Sequence, residues 1–344
     1  MEKHLFLGDE AIAQAAIDAG ISGVYAYPGT PSTEITEYIQ ESKQAIARNV
    51  HRVWSANEKT AMETALGMSY AGKRALVCMK HVGMNVAADC FMNAAITGAN
   101  GGMVVIAADD PSMHSSQNEQ DSRVYGKFAL IPIMEPSNQQ EAYDMTRYAF
   151  DLSEQMGTPV LLRITTRLAH SRAGVEPKEA KAENEMRLPE DKRQFVLLPA
   201  IAKKRYRLLL EKQTAFEEAS DNSSFNQYID GADKSMGIVA CGIGYNYLME
   251  VFGGNCPYPV VKVSQYPLPR KMITKLAEST EKLLVLEEGY PIVEEALKGY
   301  LEKECVLGRL DGTLPRDGEL NPDHVAKAFG LPSIEGSPVP EIVA

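Results

Sequence analysis

Glu58 is the residue whose type and position first suggest chemistry. It begins the stretch EKTAMETALGMSYAG, whose pattern predicts a helix, and Met62, Ala65 and Leu66 fall on its face of that helix. Burial disfavours the charged form of a carboxyl, so this group is expected to hold a proton near neutral pH and donate it in a hydrogen bond to a ring nitrogen. The alternative is that Glu58 accepts hydrogen bonds from free backbone N–H groups at the positive end of the helix dipole.

Three further segments carry side chains suited to binding. They are PGTPST around Thr30, KHVGMN beginning with Lys80 and His81, and a long polar loop from Asp109 to Arg123. His81 is predicted in the turn after a strand, where it either contacts a carboxylate, shuttles a proton or is an ordinary loop histidine. The guanidinium of Arg123 suits pairing with a carboxylate. The loop has no distinctive metal-ligand spacing, so no metal site is predicted there.

The elements that must position these residues alternate between strand and helix from the N-terminus to about residue 172. The predicted strands are GVYAY, HRVWS, RALVCM, GMVVIAA, LIPIM and PVLLRIT. This alternation predicts an α/β fold with a doubly wound, mostly parallel sheet covered on both faces by helices. Ligands bind at the carboxyl ends of strands in such sheets, so Glu58, Thr30, His81 and Asp109 are expected on one rim.

Composition divides the chain into three parts. Residues 1–172 are predicted to form the first domain. Residues 173–234 are charged or polar and are predicted to be a linker with one amphipathic helix. Residues 235–344 resume the βα alternation, which predicts a second, smaller α/β domain and a tail. A length of 344 residues accommodates about two domains of ordinary size.

Charge, hydropathy and cysteine spacing exclude several classes of protein. The net charge of -11 argues against a nucleic-acid partner, and no apolar run approaches the ~20 residues that span a bilayer. The start MEKHLFLGDE lacks a secretory signal. The five cysteines are too widely spaced for a C-x-x-C motif, which favours reduced thiols in a cytoplasm. Dinucleotide, P-loop, G-x-S-x-G and H-E-x-x-H motifs are absent.

Several segments together resemble the thiamine diphosphate-dependent 2-oxoacid:ferredoxin oxidoreductases, and within them the indolepyruvate class. NEKTAMETALGMSYAGKRALVCMKHVGMN resembles the pyrimidine-binding domain of thiamine diphosphate enzymes, and YPGTPSTEI resembles the Y-P-x-T-P-S turn of the family. DDPSMHSSQNEQDSR follows in the same order as in that class. The resemblance is strong from residue 1 to about 172. It continues less sharply to the end, where residues 235–344 are similar to a transketolase C-terminal domain.

This resemblance implies roles for the residues on the rim. Glu58 is expected to be catalytic, because in the family a glutamate hydrogen-bonds N1′ of the aminopyrimidine and favours its imino tautomer. Glycine at the matching position lets the backbone approach the pyrimidine, since a Cβ would block it. Asn85 is expected either to bind the cofactor or to cap the next helix. The expected cofactor-binding residues are Thr30, His81, Gly83 and Asn85, and the expected substrate-binding residues are Arg123 and Asp109.

The resemblance also implies a reaction, cofactors and partners. The reaction is the oxidative decarboxylation of aryl pyruvates such as indolepyruvate to an acyl-CoA, with CoA as co-substrate and ferredoxin as electron acceptor. The chain has no G-D-G/S…N motif for Mg²⁺-diphosphate and no cysteine clustering for iron–sulfur centres. These groups are therefore expected on a missing diphosphate-binding domain or subunit. A beta subunit, ferredoxin and a homo- or hetero-oligomer are further expectations, and the chain alone is expected to be a truncated or split piece that binds the cofactor weakly and turns nothing over.

Two alternatives remain open at the level of the sequence. The first keeps the chemistry but changes the substrate to pyruvate or a branched-chain 2-oxoacid. Gly29 favours the aryl class, because pyruvate-type relatives carry a larger apolar residue at that position. The second alternative is a non-catalytic α/β assembly subunit that completes a partner.

Overall fold

Buried strands rich in valine, isoleucine, leucine and alanine alternate with helices along most of the chain. The computed structural model describes residues 3–299, 305–309, 311–315 and 318–332. Within these residues the strands are β1 (His4–Leu7), β2 (Gly23–Ala26), β3 (His51–Trp54), β4 (Ala75–Lys80), β5 (Met103–Asp109), β6 (Ile133–Met134), β7 (Val160–Thr165), β8 (Arg172–Val175), β9 (Gln227–Ile229), β10 (Gly237–Cys241), β11 (Val260–Val263), β12 (Gln265–Tyr266), β13 (Leu283–Leu286) and β14 (Val306–Leu307).

The helices cover the faces of the sheets that these strands form. In the same described residues they are α1 (Gly8–Asp18), α2 (Thr33–Glu41), α3 (Lys43–Ala47), α4 (Glu58–Tyr70), α5 (His81–Thr97), α6 (Arg123–Ala129), α7 (Gln139–Met156), α8 (Thr166–His170), α9 (Pro199–Glu211), α10 (Gln213–Asp221), α11 (Ile243–Val251), α12 (Arg270–Ser279), α13 (Ile292–Lys298) and α14 (Pro322–Ala328). Not one of these helices combines the length and the apolar character needed to cross a membrane.

The larger sheet has the strand order β12-β6-β7-β5-β4-β2-β3. Its neighbouring strands pair in parallel, except that β12 joins β6 antiparallel. The sheet is buried on both faces: Val104 and Ile106 of β5 pack into one apolar layer, and Val105 and Ala107 pack into the other. This arrangement confirms the predicted doubly wound, mostly parallel sheet.

The smaller sheet has the order β14-β13-β10-β11-β9, with β9 antiparallel to β11. This sheet and its helices form the second α/β unit that the sequence predicts. The segment 173–234 is more than a linker, because it contributes β9 to this sheet and carries α9 and α10. The strand β9 gives no sequence signal, since three residues among polar neighbours are too few to show alternation. The domain boundaries at residues 172 and 234 stay predictions.

The pattern NVAADCFMNAAITGA predicts a helix that begins at Asn85, but α5 begins four residues earlier, at His81. Its N-cap is Lys80, which has extended backbone angles, so His81, Gly83 and Asn85 lie inside the first turns of the helix. The prediction of a turn at His81 and Gly83 is therefore wrong, and Asn85 is not a helix cap. A glycine inside a helix costs about 1 kcal/mol relative to alanine, which is why the sequence pattern favoured a turn at Gly83.

Candidate active site

The carboxyl ends of β3, β2, β4 and β5 lie side by side at one end of the larger sheet. Glu58 begins the helix after β3, and Thr30 lies in the turn after β2. His81 begins the helix after β4, and Asp109 ends β5. The fold therefore places all four on the predicted rim, but the surroundings of their side chains differ.

Glu58 is the first residue of α4, and its side chain is almost buried, with 9% of the residue exposed. The helix is capped by its neighbour Asn57, whose Oδ1 accepts a hydrogen bond from the Thr60 N–H at 2.9 Å. Within the described part of the chain, no group donates a hydrogen bond to the Glu58 carboxyl. The alternative in which Glu58 serves as a hydrogen-bonding cap is thus not what the structure shows. Its carboxyl is left free to contact a ligand.

Gly83 packs directly against this carboxyl. A Cβ atom on Gly83 would lie 2.7 Å from Cγ and 2.7 Å from Oε1 of Glu58, closer than real Cβ contacts allow. The missing side chain therefore lets the first turn of α5 sit beside the first residue of α4. That Gly83 also admits a pyrimidine ring stays a prediction.

Thr30 lies in a turn that is fixed by its own neighbours. The Gly29 N–H donates to Thr33 Oγ1 at 3.1 Å, and Ser32 Oγ donates to the Gly29 carbonyl at 2.8 Å. Ser115 Oγ donates to the Thr30 carbonyl at 3.3 Å, which ties the polar loop to this turn. Thr30 itself remains exposed at the rim.

His81 is buried beneath the polar loop, with 1% of the residue exposed. Its Nε2 lies 3.0 Å from the carbonyl oxygen of Asn118, and among the described residues its buried Nδ1 has no hydrogen-bond partner. The contact with the Asn118 carbonyl requires that Nε2 carry a hydrogen. Lys80 supports the same loop, because its Nζ donates to the Ser115 carbonyl at 3.1 Å.

The shape of the polar loop depends on Asp110, a residue to which sequence reasoning gave no role. Its carboxylate accepts hydrogen bonds from the Ser115 N–H at 2.8 Å and from Ser116 Oγ at 2.6 Å. It also accepts one from Thr166 Oγ1 at 2.7 Å. The available signal was an Asp-Pro pair directly after a buried strand, which is typical of a turn built on an aspartate side chain.

Asn85 is exposed on α5 and accepts a hydrogen bond from the hydroxyl of Tyr125, which lies on α6. The tyrosine was not singled out by the sequence. The pair connects the helix that begins at His81 to the helix that follows the polar loop. A cofactor-binding role for Asn85 stays a prediction.

The side chains of Asp109 and Arg123 are buried in a charged cluster that reaches residues of the smaller sheet's unit. Asp109 is completely buried, and it accepts hydrogen bonds from Arg163 Nε at 2.7 Å and Ser122 Oγ at 2.5 Å. Burial is the main cause that raises the pKa of Asp109. A role in substrate binding stays a prediction for both residues, but their side chains are already engaged within the protein.

Arg123 and Arg163 lie at the centre of this buried charged cluster. Arg123 donates to Asp121 Oδ1 at 3.0 Å and lies 3.0 Å from Oε2 of Glu287, which directly follows β13 of the smaller sheet. Arg163 contacts the Glu135 carboxylate, and its Nη2 donates to the carbonyl of Glu288 at 2.8 Å. The cluster therefore joins the two α/β layers.

The charges in the cluster stabilise one another. Burial disfavours ionisation of Asp121, but the guanidinium groups of Arg123 and Arg163 outweigh it and lower the pKa of Asp121 to about 2. The Glu287 carboxylate also accepts hydrogen bonds from the N–H groups of Val293 and Glu294, each at 3.0 Å, at the start of α13. These contacts indicate a structural role for the cluster.

Comparison with known proteins agrees with this fold and shows a family. Residues 14–223 match the family described as pyruvate flavodoxin/ferredoxin oxidoreductase, thiamine diphosphate-binding. The chain is 44% identical over 343 residues to the indolepyruvate oxidoreductase subunit IorA of Archaeoglobus fulgidus, covering 96% of this chain and 54% of that protein. It is 43% identical over 347 residues to the protein of the same name from Thermococcus kodakarensis, covering 96% and 53%. The chain thus spans about half the length of these relatives.

Solved structures share the fold at low sequence identity. The 2-oxoglutarate:ferredoxin oxidoreductase of Magnetococcus marinus, solved with 2-oxoglutarate, coenzyme A and succinyl-CoA, superposes with a TM-score of 0.71 at 15% identity, covering 89% of this chain and 62% of that one. A split-gene transketolase, described as an inactive beta4 tetramer, gives 0.58 at 15% identity, covering 94% and 97%. The family match extends over more than half of the chain, and so the chain belongs to the thiamine diphosphate-binding pyruvate flavodoxin/ferredoxin oxidoreductase family.

Proposed function

We propose that this chain supplies the aminopyrimidine side of a thiamine diphosphate site in an enzyme that oxidatively decarboxylates indolepyruvate and related aryl pyruvates. The observation that carries the proposal is the Glu58 carboxyl, which is nearly buried at a sheet rim and receives no hydrogen bond from the described residues. The carboxyl has no protein partner among those residues to give up, so it is available to hydrogen-bond a ligand at the rim.

The residues around Glu58 fit the aminopyrimidine of the cofactor. The carboxyl at this position is placed to share a hydrogen bond with a ring nitrogen, and the absent Cβ of Gly83 keeps the first turn of α5 from displacing that carboxyl. Thr30 and the polar loop above His81 border the same rim and are assigned to the reacting side. When bound, thiamine diphosphate supplies the electron sink that a decarboxylation requires.

The remaining components are assigned to other parts of the assembly. The diphosphate and its Mg²⁺, the iron–sulfur clusters, the CoA site and the contact with ferredoxin are proposed to belong to a further domain or subunit. The relatives from Archaeoglobus fulgidus and Thermococcus kodakarensis are themselves named as subunits, which supports a multi-subunit enzyme. The cytoplasm is the proposed compartment.

The proposed substrate class follows the sequence relationships. Identity to the relatives named for indolepyruvate extends over 96% of this chain. A 2-oxoglutarate synthase subunit KorA of Methanothermobacter thermautotrophicus is 28% identical over 181 residues, which is 50% of this chain. An aryl pyruvate is therefore favoured over a dicarboxylic or small aliphatic 2-oxoacid.

Reconstitution with the remaining subunits tests the proposal. Decarboxylation of indolepyruvate, pyruvate and 2-oxoglutarate is measured with thiamine diphosphate, Mg²⁺, CoA and ferredoxin present. We expect kcat/KM to be highest for indolepyruvate. Equal values for pyruvate would remove the aryl assignment. Full activity of the assembly with Glu58→Gln, together with loss of activity when this chain is omitted, would instead support the assembly-subunit alternative.

A further inference from the structure

A second group of ionisable side chains lies on the face of the larger sheet opposite α4 and α5. Asp9 is in the first turn of α1, Glu34 is in the first turn of α2, and His170 ends α8. One ligand atom from each lies within 4.8 Å of the other two. The three helices thus bring two carboxylates and one imidazole together.

Three of the four carboxyl oxygens in this group have no hydrogen-bond donor among the described residues. Asp9 is completely buried, and neither of its carboxyl oxygens accepts a hydrogen bond from any described residue. The same part of the chain offers no partner to the buried Oε2 of Glu34 or to the hydroxyl of Thr36. Burial and the adjacent Glu34 raise the pKa of Asp9 well above its usual value. Such a cluster requires a positive charge between its members, either a proton or a cation.

We propose that Asp9, Glu34 and His170 bind a divalent transition-metal ion of the zinc type. His170 Nε2 and Glu34 Oε1 are 3.5 Å apart. Two ligands of a tetrahedral ion with bonds of about 2.1 Å are separated by about 3.4 Å, which matches the distance between His170 and Glu34. An imidazole ligand favours zinc and its neighbours over Mg²⁺ and Ca²⁺, which prefer oxygen atoms alone. Glu34 and His170 are partly exposed, which gives the ion a route of entry.

The ion would act as a structural connection. It would hold the start of α2 to the start of α1 and the end of α8. Because α2 directly follows the turn that contains Thr30, the ion would fix the position at which that turn ends. This inference is independent of the proposed reaction, since the three ligands are separate from Glu58.

The competing occupant is a single proton shared between Asp9 and Glu34. The two possibilities differ in their response to substitution. His170→Gln removes a metal ligand but leaves a shared proton in place. Asp9→Asn removes a ligand charge, yet it supplies an amide that donates to Glu34 in place of the proton.

The test uses the full chain after treatment with a chelator, titrated with Zn²⁺ and with Mg²⁺ by calorimetry, with Tm recorded in parallel. We expect one Zn²⁺ to bind and to raise Tm, and Mg²⁺ to bind at least tenfold more weakly than Zn²⁺. His170→Gln and Asp9→Asn are each expected to weaken Zn²⁺ binding by at least about tenfold, a loss that even indirect partners of a metal can cause.

The matched control is His114→Gln, since His114 is a similarly exposed histidine 3.3 Å from Glu319. This variant should bind Zn²⁺ like the wild type. Equal loss in His114→Gln, unchanged binding in His170→Gln, or Mg²⁺ binding as tight as Zn²⁺ would each overturn the proposal. Absence of Zn²⁺ binding to the wild type, together with a higher Tm for metal-free Asp9→Asn, would assign the cluster to a shared proton. The metal-free Tm of His170→Gln verifies that this variant is folded.

Discussion

The backbone of Gly83 lies so close to Glu58 that a Cβ there would approach the carboxyl group to 2.7 Å. This contact couples the first turn of α5 to the first residue of α4, although the two belong to different βα units. The side-chain position of Glu58 is thus set from outside its own helix. The proposed chemistry depends on that position.

Glu58→Gln tests the chemical role of the carboxyl. Glutamine keeps the size and one hydrogen bond but cannot hold or release a proton in the same way. In the reconstituted enzyme we expect kcat to fall by roughly 100-fold or more, in the range that general acid–base groups contribute. Glu63→Gln is the control, because Glu63 is exposed on the same helix. Turnover of Glu58→Gln equal to that of the control would refute the catalytic role.

Gly83→Ala tests the contact between the two helices. The added methyl must displace the Glu58 carboxyl or shift α5. We expect the Kd for thiamine diphosphate to rise and kcat to fall, with a loss of stability of about 1–3 kcal/mol from overpacking. The control is Gly67→Ala on α4, where a Cβ meets nothing within 4 Å. Equal effects of the two substitutions would show that the Glu58 contact is unimportant.

Trp54 offers an optical probe of the site. It is the single tryptophan, it is partly exposed, and it ends the strand that leads to Glu58. We expect its fluorescence to change when thiamine diphosphate and Mg²⁺ are added to the chain assembled with its diphosphate-binding partner. In Glu58→Gln the change should require more cofactor. An unchanged emission in the wild-type assembly would count against cofactor binding at this rim.

Asp121→Asn tests the buried cluster between the sheets. The substitution leaves Arg123 and Arg163 with less negative charge around them, and we expect a loss of roughly 3–5 kcal/mol in the free energy of unfolding. Asp191→Asn is a matched control, because Asp191 also pairs with the arginine two residues later but is exposed. The free energies of unfolding of the two variants are compared by urea denaturation at pH 7. A loss no larger than in the control would mean that the cluster contributes little.

The same pairing makes the contribution of Asp121 to protein stability depend on pH. Its pKa is lowered to about 2 from its ordinary value of 3.8, so its stabilising effect is fully present above pH 3.8. That effect declines as the pH falls toward 2. Wild-type and Asp121→Asn proteins should therefore converge in stability only in strong acid. Convergence already at pH 5 would contradict the assignment.

Glu288 is expected to make stability fall as the pH rises. Burial raises its pKa to about 7 from 4.5, so between these values the folded chain holds a proton that the unfolded chain has released. The free energy of unfolding should then decrease across this window by up to about 3 kcal/mol. Glu288→Gln removes this slope and keeps an acceptor for the Leu320 N–H. The free energy of unfolding is measured at pH 5 and pH 8 for both proteins. The same decrease in Glu288→Gln as in the wild type would exclude Glu288 as the cause.

The rim was predictable because its signals are local. Strand patterns followed by Gly, Pro and acidic residues define the carboxyl ends of β2, β3 and β4, and parallel topology then places Thr30 and Glu58 side by side. The start of α5 was not predictable from the sequence pattern. Glycine is favoured at position 83 of this helix because the Glu58 side chain leaves no room for a Cβ there. No pattern within α5 itself carries that information.

The roles of Asp109 and Arg123 could be predicted only from contacts between parts of the chain that are distant in sequence. Polar residues after a buried strand are typical of a binding surface, and the sequence favoured that interpretation. In the structure Arg123 meets Glu287, a residue more than a hundred positions later, and the second sheet covers the surface that the sequence predicted to be open. A single sequence contains no signal for such a pairing.

The two-residue strand β12 has a practical meaning for protein engineering. It leaves the second α/β unit and completes the edge of the first sheet beside β6, next to the charged cluster. A gene fragment that stops near residue 234 would therefore lack this edge strand, and it would remove Glu287 from Arg123 and the Glu288 carbonyl from Arg163. Chimeras with related enzymes should take both units from one parent, because β12 and the buried charged cluster connect the two units.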